Sequence, residues 1–182
     1  MQDSTPAPRL LLGLAGWPRP AWRNGYFPDD LPPDWELAYY SNDADCLCLR
    51  AAQWSGMDQA QIGAWLEDIP PHFRFYLELP PGGGAAGLPD LGVHLGAVLV
   101  EHFRELPRTA RQLQRGEGGC WLDSQGVPRL ARWEYPRGQL RALGERLQRL
   151  PGTVEALILE GDDLDPRQLG EVRTLAELLG VA

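Results

Sequence analysis

Short runs of β-forming residues recur along the chain with helix-like segments between most of them, and this alternation restricts the fold more than any other feature. The runs that read as strands are Leu10 to Leu14, Cys46 to Arg50, Phe73 to Leu79, Ala97 to Phe103, Cys120 to Asp123, Leu130 to Tyr135 and Val154 to Glu160. Asp58 with Gln61 has the form of a capping box. It opens a helix whose apolar stripe is Ile62, Trp65, Leu66 and Ile69, and Pro70 and Pro71 end it. From Gln139 to Leu150, the leucines Leu140, Leu143, Leu147 and Leu150 fall on one face, with Arg141, Glu145, Arg146 and Arg149 elsewhere. A last helix has Asp165 as N-cap, Pro166 at its first position, Gly180 at its end, and a stripe of Leu169, Val172, Leu175, Leu178 and Leu179.

Strands joined through helices favour crossover connections, so the expected class is α/β, a mostly parallel sheet under outer helices. Seven such strands fall short of the eight of a full barrel, which predicts a shortened or incomplete one. The two strands flanking Ser124-Gln125-Gly126 can instead pair as an antiparallel hairpin. An incomplete barrel leaves unpaired strand edges, and a homodimer is one way to cover them.

The chain's 182 residues suit a single domain, assigned here to 9–182 after a disordered or extended segment over 1–8. All 17 basic side chains are arginine. Without lysine there is no Schiff base, no pyridoxal phosphate anchor and no P-loop clamp. Against 25 acidic residues the net charge is -8, so nucleic acid and anionic membranes are not expected partners. No apolar run reaches the ~18 residues of a membrane span, and the N-terminus lacks a signal-peptide layout. Three cysteines, an odd number, argue against a disulfide framework and for a reducing, cytoplasmic setting. Cys46 and Cys48 share one face of a strand, as buried structural thiols or as a reactive or metal-binding pair. No further Cys or His stands at ligand spacing, so no metal and no cofactor is assigned. The Pro80 to Gly87 loop reads as a mobile lid or a tolerated insertion.

The segment Gly13-Leu14-Ala15-Gly16-Trp17-Pro18-Arg19-Pro20-Ala21-Trp22, continuing through Tyr26-Phe27-Pro28, Leu31-Pro32-Pro33 and Trp35 to Tyr40, resembles the opening of the DUF72 (YecE-like) family. Trp65 with Ile69-Pro70-Pro71-His72-Phe73-Arg74-Phe75-Tyr76-Leu77-Glu78-Leu79-Pro80 is similar to that family's Trp, Pro, Phe-x-Phe, Lys-x-Pro region, and together the two stretches cover residues 13–80. The resemblance implies a TIM-barrel-like fold in a family without a defined activity. It also implies a lysine where Glu78 stands, a late-strand histidine at Glu134, a late-strand arginine at Arg132, and an Asn-Asn-like strand end at Glu160 to Asp163. The polar positions of the pattern are thus rewritten in this chain.

In such folds ligands bind at the C-terminal ends of the strands. The candidate catalytic residues there are Glu78, His102, Asp123, Glu134 and Glu160. Trp17, Trp22, Arg50 and Arg132 are the candidate ligand-binding residues. Trp17 and Trp22 could stack on a planar ligand or fasten their loop to the rim. His102 follows Glu101 directly, and neighbouring strand residues point to opposite faces, so the two do not form one acid/base pair. Arg104, Arg108, Arg111 and Arg115 are spaced as one face of a helix, basic and solvated or bound to an acidic group. With no coherent catalytic set, the leading expectation is a binding or interaction protein with an unidentified small-molecule ligand. The competing one is a metal-dependent or acid/base hydrolase with an acidic pocket of Glu78, Asp123, Glu134 and Glu160.

Overall fold

Every apolar run expected to be extended is a strand, and an eighth strand lies where the arginine spacing predicts a helix. The computed structural model describes residues 9–83, 87–107, 110–136 and 138–181. The strands are β1 (Leu11–Ala15), β2 (Cys46–Leu49), β3 (Arg74–Glu78), β4 (Leu95–Val100), β5 (Gln112–Arg115), β6 (Cys120–Leu122), β7 (Pro128–Glu134) and β8 (Ala156–Glu160). Neighbours in sequence are neighbours in the sheet, and β8 pairs with β1, so the barrel is closed. Only β6 runs against the rest, antiparallel to β5 and β7, so the sheet is mixed. The expected seven strands of an incomplete barrel are therefore eight in a closed one, and closure leaves no free edge for a second copy to pair with. The expected segment 1–8 lies outside the described residues, as does Arg108.

The reversed strand explains how so short a chain closes a barrel. A parallel neighbour needs a crossover of a dozen or more residues, whereas an antiparallel one needs only a turn. Here β5, β6 and β7 follow one another through a single 3-10 turn (Glu117–Gly119) and a tight hairpin. The hairpin forms at the expected place, with Gly126 at φ 77° and Asp123 Oδ1 accepting from the N–H groups of Gln125 and Val127 at 2.9 and 3.0 Å.

The helices are α1 (Glu36–Tyr40), α2 (Ala51–Trp54), α3 (Gln59–Glu67), α4 (Leu140–Gln148) and α5 (Gln168–Leu178). The expected box caps α3: Asp58 Oδ1 accepts from Gln61 N at 2.8 Å, and Gln61 Oε1 from Asp58 N at 3.2 Å. Ile62 and Ile69 are buried, and Trp65 stacks on Phe75 with centroids 6.1 Å apart. In α4 and α5 the inner faces are Leu143, Leu147, Leu169, Val172 and Ala176. Leu140 and Leu178, expected in the stripes, sit at helix ends with 46% and 78% of their surface exposed.

Alternation along the strands separates two apolar sets. Ala15, Cys46, Cys48, Tyr76, Ala97, Leu99, Leu113, Trp121, Leu130, Ala156 and Ile158 fill the barrel. Leu12, Leu14, Leu47, Leu49, Phe75, Leu77, Val98, Val100, Ala131, Trp133, Leu157 and Leu159 face outward into a second cluster with the helices and loops. Gly13 is required by the first set, because a Cβ there would lie 2.0 Å from the Cys46 carbonyl oxygen. No α-helix among the described residues lies between β4 and β7, and the outward residues of β5 and β6 are accordingly polar or half-exposed: Gln112, Gln114, Cys120 and Leu122. Gln112 ties the preceding loop down, accepting from Arg104 N at 3.1 Å and donating to Arg104 O at 2.7 Å. Arg104, Arg111 and Arg115 thus lie in a loop, at a strand entry and on a strand, not on one helical face.

Candidate functional site

Seven strands deliver their C-terminal ends to one rim of the barrel, and β6 delivers its end to the other. A cavity of about 610 Å³ opens at that first rim, lined by the ends of β2, β3, β4, β7 and β8 and by residues of β5 and β6. Its charged groups are Arg50, Glu78, Glu101, Arg115, Arg132 and Glu160, over a floor that includes Leu99 and Trp121.

Glu78 and Glu160 end β3 and β8, Arg132 lies two residues before the end of β7, and the three meet in the cavity. Arg132 Nη1 donates to Glu78 Oε1 at 2.8 Å. Its Nε donates to Glu160 Oε2 at 2.9 Å, and its Nη2 forms an ion pair with the same oxygen at 2.8 Å. The guanidinium side chain is 13% exposed and the two carboxylates about a third. Burial alone would lower the Arg132 pKa; the Cys48 thiol beneath it, Glu78 and Glu160 outweigh that and raise it. Arg132 is therefore a fixed cation bridging two carboxylates, through a planar fork that suits paired carboxylates. Where the family resemblance implies a lysine, Glu78 supplies one half of this bridge.

Arg50 and Arg115 line the same cavity, and neither guanidinium has an ion-pair or hydrogen-bond partner among the described residues. Nearby, Arg19 donates to the carbonyl oxygens of Ala15 and Gly161, clamping the ends of β1 and β8. Burial lowers its pKa, and the like charge of Arg50 lowers it further.

The remaining expected site residues lie elsewhere. Asp123 is at the opposite rim because β6 is reversed; there it binds Arg129 Nε at 2.8 Å, and that hydrogen bond heads the interactions holding its carboxyl below the usual range. Glu134, in register with Glu160, is exposed and does not line the cavity. Glu101 lines it and the adjacent His102 does not; both are exposed and lie in the bend just past the end of β4. The acidic pocket of four carboxylates therefore reduces to Glu78 and Glu160, with Glu101 beside them.

Trp17 and Trp22 are buried, at 5% and 3% exposure. Trp22 stacks on Tyr40 at 5.7 Å and its Nε1 donates to Leu164 O at 2.8 Å. Trp17 packs edge-on against Trp22, Phe27, Tyr40 and Trp65. Tyr40, fully buried, donates to Cys46 O at 2.9 Å and accepts from Leu14 N at 3.0 Å. This cluster fastens the loop after β1 to the barrel, and neither tryptophan is among the residues lining the cavity.

Cys46 and Cys48 are free and buried inside the barrel; burial pushes the Cys48 thiol up to about 12 and raises that of Cys46 as well. Among the described residues no group of three or more His, Cys, Asp or Glu is arranged to hold a metal ion. No helix among them is long and apolar enough to cross a membrane. Arg115 and Trp121, the cavity residues that sequence reasoning missed, both come from the polar β5 and the reversed β6.

No curated protein and no solved structure matches the chain. The family model described as "Protein of unknown function DUF72" matches residues 11–82, from β1 to just past β3. That span holds the Gly-Trp segment, the helix α3 and the Phe-x-Phe strand, and it is consistent with a DUF72 family member.

Proposed function

We propose that the chain is a small-molecule-binding barrel without efficient catalysis, its ligand seated in the cavity at the C-terminal rim. The observation that carries this reading is the Arg132 bridge. Glu78 and Glu160 are the two carboxylates of the expected hydrolase pocket that reach the cavity, and they accept hydrogen bonds of 2.8 and 2.9 Å from one guanidinium. Both carboxylates are thus committed to the same cation in like settings, whereas acid/base catalysis needs two groups in contrasting environments. The histidine that could transfer a proton, His102, lies outside the cavity. The bridge does suit recognition: polar groups prearranged over an apolar floor, in a concavity large enough for an ordinary metabolite.

Ala52 is an exposed residue of α2 that lines the cavity, so Ala52→Trp fills the mouth at little cost to the fold. A panel of sugars, amino acids and organic acids is screened by thermal shift against both proteins, and each hit is recovered after incubation with stoichiometric protein. Hits that stabilise the wild type, not the filled variant, and return chemically unchanged are expected. Hits that stabilise both equally place binding elsewhere and overturn the reading. Conversion of a hit in the wild type alone overturns its non-catalytic part and favours the hydrolase alternative.

A further inference from the structure

The cavity holds three guanidiniums and three carboxylates, but they are not paired one to one. Arg132 is committed to Glu78 and Glu160, while Arg50 at the end of β2 and Arg115 at the end of β5 have no partner for their guanidinium groups among the described residues. Exposed arginines are common on any surface, so exposure alone says nothing. What distinguishes these two is that they line one concave cavity whose third cation is already neutralised. Arg50 moreover lies near enough to Arg19 to act on it as a like charge, so a further guanidinium stands beside this rim, along with Glu160 and Asp162.

We infer that the ligand of this cavity carries an oxyanion, a phosphate monoester or a carboxylate, held by Arg50 and Arg115. The inference rests on the binding role proposed above. A guanidinium offers parallel N–H donors whose fork fits two oxygens of a carboxylate or phosphate. Glu78 Oε2, Glu160 Oε1 and the Glu101 carboxylate are not used by Arg132, so they are left to accept from hydroxyl or amine groups elsewhere on the same molecule. The ligand so described is a small polar acid, donor-rich at one end and anionic at the other.

Isothermal titration calorimetry on the full chain with a hexose monophosphate, citrate and the parent hexose tests this. At least one of the two anions binds, and the uncharged hexose binds at least about tenfold more weakly. Arg50→Gln and Arg115→Gln each weaken anion binding about tenfold, and added salt weakens it in the wild type. Arg141→Gln, an exposed arginine on α4, leaves it unchanged. Binding of the phosphate alone identifies a phosphate monoester, and binding of citrate alone a carboxylate. If neither anion binds, the inference falls while the panel hits still decide the cavity's role. Anion binding lost in Ala52→Trp yet unaffected by either arginine substitution overturns this inference alone. Binding indifferent to Ala52→Trp overturns both, and an equal loss in Arg141→Gln reduces the effect to net charge and overturns the inference.

Discussion

Replacing Arg132 with methionine keeps the side-chain stem and removes the charge that joins β3, β7 and β8. Two charge-assisted hydrogen bonds disappear, one to Glu160 and one to Glu78, together with the Nη2 ion pair to Glu160. Each such bond is worth roughly 1.5–3 kcal/mol when shielded, but the partner carboxylates are 31% and 32% exposed, and solvent screens them. The larger consequence is that Glu78 and Glu160 then face each other with no cation between them. A net loss of about 2–3 kcal/mol follows, which in a chain of this size lowers the melting temperature by roughly 5–10 °C. Thermal and urea unfolding monitored by circular dichroism at neutral pH measure both quantities. Adding Glu78→Gln and Glu160→Gln to Arg132→Met recovers part of the lost stability, since much of the penalty is uncompensated charge. A melting temperature within about 1 °C of wild type for Arg132→Met would refute the reasoning, because it would mean that solvent screens the bridge entirely.

Native alkylation at pH 7 should modify at most Cys120 rapidly, because Cys46 and Cys48 are buried with raised thiol pKa values; all three react after denaturation, and fast reaction of a second thiol in the folded protein counts against the filled barrel. Burial raises the tyrosine pKa values of Tyr26, Tyr40 and Tyr76 above the ordinary 10.0. The unfolded chain then gives up protons that the native one keeps, so stability present below that value is lost as the pH rises beyond it. Ultraviolet titration should accordingly show these tyrosines ionising together with unfolding, and ionisation well before unfolding would contradict their burial. Gly13→Ala should prevent folding, judged by loss of the cooperative melt, because its Cβ would meet the Cys46 carbonyl oxygen at 2.0 Å. Asp45→Ala should cost about 3 kcal/mol in urea unfolding, since it strips partners from Arg173 at 2.8 Å and from the Leu12 N–H at 3.0 Å; an unchanged midpoint would show that this buried pair contributes nothing.

Much of the barrel could be read from residues alone, because its strands are buried on both sides and show as apolar runs bounded by turn residues. The helix α3 and the β6–β7 hairpin were legible for similarly local reasons: a capping box and a glycine turn. The strand β5 was not, and its physical setting explains why. Gln112-Leu113-Gln114-Arg115 turns only Leu113 into the barrel core, and with no α-helix among the described residues packed outside, it has no need of outward apolar residues. Its arginines then mimic a helical face. The error over Asp123 had a readable remedy: a hairpin strand runs opposite to its neighbour, so its C-terminal end belongs to the other rim. The joining of Glu78, Arg132 and Glu160 was half legible. Strand ends of a barrel share a rim, which brought all three into consideration, but which carboxylates reach which cation depends on closure and register.

A crystal structure of the full chain with a ligand drawn from the panel tests the central claim most directly. The account predicts ligand density in the cavity at the C-terminal rim, over a bridge in which Arg132 remains within hydrogen-bonding distance of both Glu78 and Glu160. A ligand bound outside that cavity, or an Arg132 turned away from the two glutamates, would contradict it.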